Sequence, residues 1–150
     1  MAINVYDLYL RKNNKPYLHK IQEIKTECFP TGAKCIYKFV AQNTDLLKMA
    51  EENVLLLALD TRKVLSVFWV SKGTVDRTYL TSREIFIRLL LVGASRFVVV
   101  HNHPSGSLDF STADKKTAVE LRAAGELIGV PMLDFIAVTS RGYNSIGEQN

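Results

Sequence analysis

The chain has 150 residues, of which 47% are hydrophobic and 23% charged, and its formal net charge is +4. This length suits one domain, and the composition is that of a globular protein, which excludes a disordered, collagen-like or coiled-coil chain. The longest strongly apolar runs, Val54–Leu59 and Leu89–Val92, are far shorter than the ~20 residues of a membrane span. The N-terminus lacks a basic region followed by an apolar stretch, so we expect a cytoplasmic protein without a secretory signal or membrane contact.

The excess positive charge lies in the first third of the chain. Residues 1–50 hold eight Lys and Arg against four Asp and Glu, whereas residues 51–150 hold eleven of each sign. A basic face can meet nucleic acid or an acidic protein, but no helix-turn-helix, zinc-finger or RNP signature accompanies these scattered residues. A solvated surface is therefore the favoured interpretation, and we expect weak or no specific nucleic-acid binding.

The two cysteines, Cys28 and Cys35, match no Cys-x-x-Cys metal or redox pattern. A cytosolic setting also disfavours a disulfide between them. Both are predicted to be free thiols that are buried or half-buried.

Hydrophobic patterning predicts a β-hairpin, a helix, a second hairpin, and then alternating helices and strands. The predicted strands are Ile3–Leu10, Tyr17–Ile24, Val54–Leu59, Lys63–Val70, Arg96–Val100, Leu133–Val138 and Tyr143–Ile146. The predicted helices are Ala33–Ala41, Ser82–Gly93 and Ser111–Ile128. This order predicts an α/β fold with a mixed β-sheet flanked by helices.

Two local features refine the helix predictions. Ser82 is expected to cap the second helix, which Gly93 ends. The third helix places Ala118, Leu121, Gly125 and Ile128 on one side, so these four residues are expected to face the sheet.

The strongest chemical signal is the pair His101 and His103 at the end of a predicted buried strand. Residues two apart in a strand point to the same face, so both imidazoles can reach one point. Asp114 lies in the first turn of the next helix, which the intervening loop can fold back over the strand end. Two nitrogens, one carboxylate oxygen and an open position describe a catalytic zinc site, although iron or manganese also accept such ligands.

Simpler interpretations exist for each of these residues. The histidines could be polar residues at a solvated rim, and Ser111 with Asp114 fits a helix capping box. The combination is more specific than its parts, because His-x-His-Pro-x6-Ser-x2-Asp sets uncommon residues at fixed offsets.

This motif resembles that of the JAMM (MPN+, or JAB domain) zinc metallopeptidases in their bacterial RadC-like form. The likeness extends to Glu52–Asp60, Val70–Thr74, Ser82–Phe86, Ala123–Gly129 and Leu133-Asp134. It covers roughly residues 35–150 and implies a catalytic domain at 31–150. Residues 1–30 do not share it, and their composition predicts an N-terminal hairpin extension within one compact unit. The fold implied is JAMM/MPN-like, with layering similar to that of cytidine deaminases.

The resemblance also implies residue roles. His101, His103 and Asp114 would bind Zn²⁺, and Ser111 would support the metal-bound water and the tetrahedral intermediate. A Glu on an upstream strand would be the general base. Family spacing selects Glu52, whereas the strand period says only that one of Glu51 and Glu52 faces inward.

Three positions depart from the family pattern. Asp134-Phe135 stands where the family usually has Asp-His, and Phe cannot take a proton. Thr81-Ser-Arg-Glu84 replaces His-Pro-Arg-Glu, and Ser107–Phe110 replaces a Pro-containing stretch. None of these changes removes an implied metal ligand.

The leading hypothesis is a zinc-dependent metallopeptidase or isopeptidase-like hydrolase acting on a peptide or protein substrate. A nucleobase deaminase is disfavoured because His-x-Glu and Pro-Cys-x-x-Cys are missing. Two alternatives stay open. One is a nucleic-acid-binding accessory module, given the family's traditional link with DNA repair, and the other is a metal-binding scaffold without turnover.

Overall fold

The computed structural model describes residues 2–27, 30–61, 64–72 and 80–149, which form one seven-stranded sheet and three α-helices. The strands are β1 (Ala2–Leu10), β2 (Pro16–Lys25), β3 (Asn53–Leu59), β4 (Val64–Lys72), β5 (Arg96–Asn102), β6 (Met132–Thr139) and β7 (Gly142–Ser145). The helices are α1 (Ala33–Asn43), α2 (Ser82–Val92) and α3 (Thr112–Ile128). Short 3-10 helices lie at Leu46–Lys48 and Gly147–Gln149.

The sheet is mixed, as predicted, and its strand order is β2-β1-β4-β3-β5-β6-β7. The pairs β1/β4 and β5/β6 are parallel, and the other neighbours are antiparallel. Both predicted hairpins are therefore present. The N-terminal hairpin belongs to the same sheet as the rest of the chain, because β1 pairs with β4.

Helices cover both faces of the sheet, which gives three layers. The central strand β3 is buried along its whole length, as its continuous apolar sequence predicts. Leu56 faces the core formed with α2 and α3, whereas the next residue, Leu57, faces the core formed with α1. The α/β fold with a mixed sheet flanked by helices is thus confirmed.

Two predictions about helix ends were wrong. Thr81, not Ser82, caps α2, because the Thr81 hydroxyl accepts the Glu84 backbone N–H at 3.4 Å. Ile128 is 44% exposed, because the chain turns back beneath the last turn of α3. The backbone N–H of Val130 donates to the Gly125 carbonyl at 2.9 Å, and Val130 fills the core position instead.

The predicted burial of the thiols fails for Cys35, which is exposed on the solvent side of α1. Its neighbour Ile36 takes the inward position on that helix. Cys28 lies outside the described residues. None of the helices in the described ranges is long and apolar enough to cross a membrane.

Candidate metal centre

The two histidines come together because β5 holds its extended geometry to the end of the motif. His101 lies within the strand and pairs with Val54 of β3. His103 lies just past the strand, where its backbone N–H donates to the Val138 carbonyl at 3.0 Å and so continues the pairing with β6. The two side chains therefore share one face, with their Nε2 atoms 2.9 Å apart, and both residues are buried.

Asp114 reaches the histidine pair from the first turn of α3. Its Oδ1 lies 3.4 Å from His101 Nε2, and its Oδ2 lies 3.1 Å from His103 Nε2. Each of the three residues offers one ligand atom within 4.8 Å of the others. The structure thus brings together the three residues in which the sequence predicts metal ligands.

A hydrogen bond to the backbone fixes the tautomer of the His103 ring. Its Nδ1 lies 2.8 Å from the Ser107 carbonyl oxygen, which can only accept, so Nδ1 carries a proton and donates it. In the neutral ring this leaves the Nε2 lone pair directed at the other two ligand atoms. The Nδ1 of His101 is buried without a hydrogen-bond partner among the described residues.

The Asp114 carboxylate and the His103 imidazole shift each other's pKa. Burial alone would raise the pKa of Asp114, but hydrogen bonds with His101 and His103 outweigh it and hold that pKa far below its usual range. The hydrogen bond with Asp114 raises the pKa of His103, and partial burial only partly opposes this increase. Asp114 is therefore a carboxylate at neutral pH, as a metal ligand must be.

The donor set fits a zinc ion. Four tetrahedral ligands with bonds of about 2.0–2.1 Å lie roughly 3.3 Å from one another. The separations among His101, His103 and Asp114 are 2.9, 3.1 and 3.4 Å. Two nitrogens and one carboxylate oxygen form a ligand set that zinc, iron and manganese accept.

Ser111 caps α3 in a complete capping box. Its hydroxyl accepts the Asp114 backbone N–H at 3.0 Å, and its own backbone N–H donates to Asp114 Oδ2 at 2.9 Å. The residue is exposed, so its hydroxyl proton remains free to be donated to another group. Capping and a second role in chemistry are therefore compatible at this position.

Glu51 and Glu52 lie beside different cavities. A small cavity of about 40 Å³ adjoins the metal ligands and is lined by Glu52, Val54, Leu80, Val99, His101, Asp114, Thr117 and Phe135. Glu51 instead lines a groove of about 850 Å³ between the N-terminal hairpin and the segment after α1. Both acids are exposed and precede β3, which begins at Asn53, so the expectation that the general-base Glu lies on a strand was wrong.

An apolar wall closes one side of the small cavity. The ring of Phe135 is 3% exposed and lies 4.9 Å from the His101 ring, and the Phe110 ring lies 6.1 Å from Phe135 and 6.3 Å from His101. The neighbouring Asp134 has a different task, because its carboxylate accepts the Ser145 hydroxyl and the Gly147 backbone N–H. Asp134 thereby holds the turn after β7 and does not face the ligands.

Sequence reasoning missed three contributors to the site. Ser107 orients His103, and Thr117, one turn after Asp114 on α3, lines the small cavity. Asn102, between the two histidines, bonds through its side chain to the segment that carries Glu52. The spacing of Asp114 and Thr117 could have indicated the second of these, whereas the other two depend on contacts that no local pattern shows.

The family model for the RadC-like JAB domain matches residues 31–150. The chain belongs to the RadC-like JAB domain family. A "UPF0758 protein" of Thermotoga maritima is 33% identical over 133 residues, which are 88% of this chain and 58% of that relative. A "UPF0758 protein" of Finegoldia magna is 41% identical over 90 residues, 59% of this chain and 40% of the relative.

A "UPF0758 protein" of Trichormus variabilis is 33% identical over 109 residues, 72% of this chain and 45% of the relative. This RadC-like chain therefore spans about half the length of the curated relatives it matches. None of these three names states an activity.

Proposed function

We propose that this RadC-like JAB domain is a zinc-dependent metallopeptidase or isopeptidase-like hydrolase. The observation that carries the proposal is the common cavity of His101, Asp114 and Glu52. A carboxylate beside a three-ligand metal group is the arrangement that metal-assisted hydrolysis requires.

His101, His103 and Asp114 would hold the ion. A zinc ion in such a site lowers the pKa of water to about 7 and polarises a carbonyl oxygen. Glu52 would take a proton from the attacking water and return it to the leaving amine. Ser111 would donate a hydrogen bond from its hydroxyl to the oxyanion that develops on the carbonyl oxygen.

Phe135, which lines the small cavity, has a separate role in this proposal. An apolar wall keeps bulk water away and strengthens the electrostatic interactions inside the cavity. Because Phe135 carries no proton, all proton transfer in the proposed reaction falls to Glu52.

The test combines elemental analysis of the purified protein with cleavage of a peptide library and of isopeptide-linked peptides. We expect one zinc per chain and cleavage that stops when a chelator removes the metal and resumes when zinc is restored. Stoichiometric zinc without cleavage of any substrate would favour a metal-binding scaffold. A protein that takes up no zinc, iron or manganese would contradict the site itself.

A second candidate function, weak nucleic-acid binding, is favoured by one surface of the N-terminal hairpin. The rings of Tyr9 and His19 stack 4.7 Å apart, Tyr17 meets both edge-on, and the Arg11 guanidinium lies 4.7 Å above the Tyr17 ring. Tyr9 is 46% exposed. Aromatic rings beside cations are the means by which proteins bind single strands without reading sequence.

Fluorescence anisotropy with a labelled single-stranded oligonucleotide tests this candidate. Affinity should fall steeply as salt rises, and replacement of Lys12, Lys15 and Lys20 should weaken it further. Lys20 should contribute least, since it already pairs with Glu23 at 2.8 Å. An affinity that does not change with salt concentration would contradict this second function. A nanomolar, sequence-selective complex would make nucleic-acid recognition the main function.

A further inference from the structure

Asn102 stands between the two histidines but faces the opposite side of the sheet. Strand alternation directs His101 and His103 toward α3 and the Asn102 side chain toward the segment that precedes β3. The residue is 2% exposed. A buried side-chain amide has to satisfy its hydrogen-bonding groups within the protein.

The amide of Asn102 is bonded to both peptide groups that flank Glu52. Its Oδ1 accepts the Asn53 backbone N–H at 2.6 Å, and its Nδ2 donates to the Glu51 carbonyl at 3.0 Å. The same Nδ2 lies 3.3 Å from the Met49 carbonyl. The peptide bond before Glu52 and the one after it are thus held by one side chain.

These contacts lie just beyond the end of the backbone pairing between β3 and β5. The last paired residues of β3 and β5 are Val54 and His101, so Glu52 lies beyond the backbone ladder. The Asn53 side chain reinforces the arrangement by donating its Nδ2 to the Glu51 carbonyl at 3.0 Å. Without the Asn102 amide, the two peptide groups that flank Glu52 would lose these hydrogen bonds to the ligand-bearing strand.

We propose that Asn102 is a positioning residue that holds Glu52 at the metal centre. This inference rests on the proposed function, in which Glu52 is the general base. One short side chain joins the strand that carries two ligands to the segment that carries the base, so ligands and base keep a fixed separation. Catalytic groups must be held to within about 0.5 Å, and hydrogen bonds from a buried amide to both flanking peptide groups restrict the backbone of an exposed residue such as Glu52.

Only an amide of this length supplies the required acceptor and donor together. Asp at position 102 would keep an acceptor for the Asn53 N–H, but it would set a negative charge against the Glu51 and Met49 carbonyls. Ala would remove both bonds. Asn102→Asp is therefore expected to lose part of these hydrogen bonds and Asn102→Ala all of them. Asn102→Asp can also be used for the test if Asn102→Ala fails to fold.

The kinetic test is a double-mutant cycle on the zinc-loaded protein. Asn102→Ala should keep its zinc and its KM but lower kcat by ~10–10²-fold, the effect of misplacing a reacting group by about 1 Å. Combined with Glu52→Gln, it should lower kcat no further, because the group it positions is already inactive. Asn43→Ala is the matched control, since the Asn43 amide also bonds a backbone carbonyl, that of Phe39, away from the site.

Equal kcat losses from Asn102→Ala with and without Glu52→Gln would overturn the inference. Loss of zinc in proportion to loss of kcat would also overturn it, because Asn102 would then act on the ligands.

A second readout does not need turnover and so separates this inference from the proposed function. In the cobalt-loaded protein with ¹³C-labelled Glu, the metal speeds the relaxation of nearby carboxyl carbons. The Glu52 signal, assigned by its absence in Glu52→Gln, should relax more slowly in Asn102→Ala than in the wild type and the Asn43→Ala control. An unchanged rate would overturn the positioning role even if no substrate were ever cleaved.

Discussion

His103 and Asp114 lie 3.1 Å apart, Nε2 to Oδ2, and each changes the charge state that the other prefers. The contact raises the pKa of His103, and the hydrogen bonds from both histidines keep Asp114 ionised far into the acid range. In the metal-free protein the pair is an ion pair in mild acid. As a proposed zinc ligand, His103 must be neutral, so a proton and the metal would compete for the same lone pair.

This competition predicts that the stability of the metal-free protein falls as pH rises, whereas the stabilisation by zinc grows. The raised pKa of His103 adds stability that is fully present below about pH 6.5 and is lost as pH rises through the raised value. The lowered pKa of Asp114 adds stability that is present above about pH 4 and is lost only in stronger acid. The melting temperature of the chelator-treated protein should therefore be higher at about pH 6 than at about pH 8.

His103→Gln is the control for that measurement, because it removes the titrating ring. Its metal-free form should lose this part of the pH dependence. Zinc should stabilise the wild type more at the higher pH than at the lower one. The pH prediction fails if wild type and His103→Gln show the same pH profile without metal.

The ligand assignment predicts that His101→Ala and Asp114→Ala each abolish stoichiometric zinc binding, because two protein ligands rarely hold zinc. The melting temperature should fall only modestly, since a chain of this size with a hydrophobic core on each side of the sheet does not depend on a metal to fold. Elemental analysis and thermal unfolding test both statements. Full zinc retention in both variants would exclude this site, and complete unfolding on metal removal would indicate a structural metal.

Ser111 is predicted to do more than cap α3. Ser111→Ala should cost about 1 kcal/mol of stability through the lost cap. If the hydroxyl also stabilises an oxyanion, kcat should fall by ~10²–10³-fold with zinc content unchanged.

Thr81→Ala offers a matched control for Ser111→Ala, because the Thr81 hydroxyl caps α2 through the same kind of bond to a backbone N–H. It should show a similar loss of stability and normal turnover. If Ser111→Ala and Thr81→Ala show the same loss of stability and both keep normal turnover, Ser111 only caps α3.

The ligand cluster could be predicted from the sequence because its geometry is local. Strand alternation places His101 and His103 on the same face. The capping pattern at Ser111 fixes where α3 begins and so places Asp114 in its first turn. The side of the sheet that Glu52 faces could not be predicted in this way. Glu52 precedes the first residue of β3, and its backbone is held by Asn102, 50 positions away in the sequence.

The two burial errors have similar causes. Ile128 has the right helical spacing for the core, but the returning chain places Val130 there instead. Residue type favours burial of Cys35, whereas the phase of α1 is set by its larger neighbours Ile36 and Phe39, which leave Cys35 exposed. In both cases the position that is buried depends on what packs against the helix.

The most direct measurement compares Glu52→Gln with Glu51→Gln in the zinc-loaded protein, using a peptide or isopeptide substrate that the wild type cleaves. Both changes remove one carboxylate and keep its shape, but only Glu52 shares a cavity with His101 and Asp114. Glu52→Gln should bind zinc normally and lose at least ~10²-fold in kcat, as loss of a general base does, while Glu51→Gln should match the wild type. Full activity in both variants, or loss in Glu51→Gln alone, would contradict a zinc hydrolase that uses Glu52 as its base.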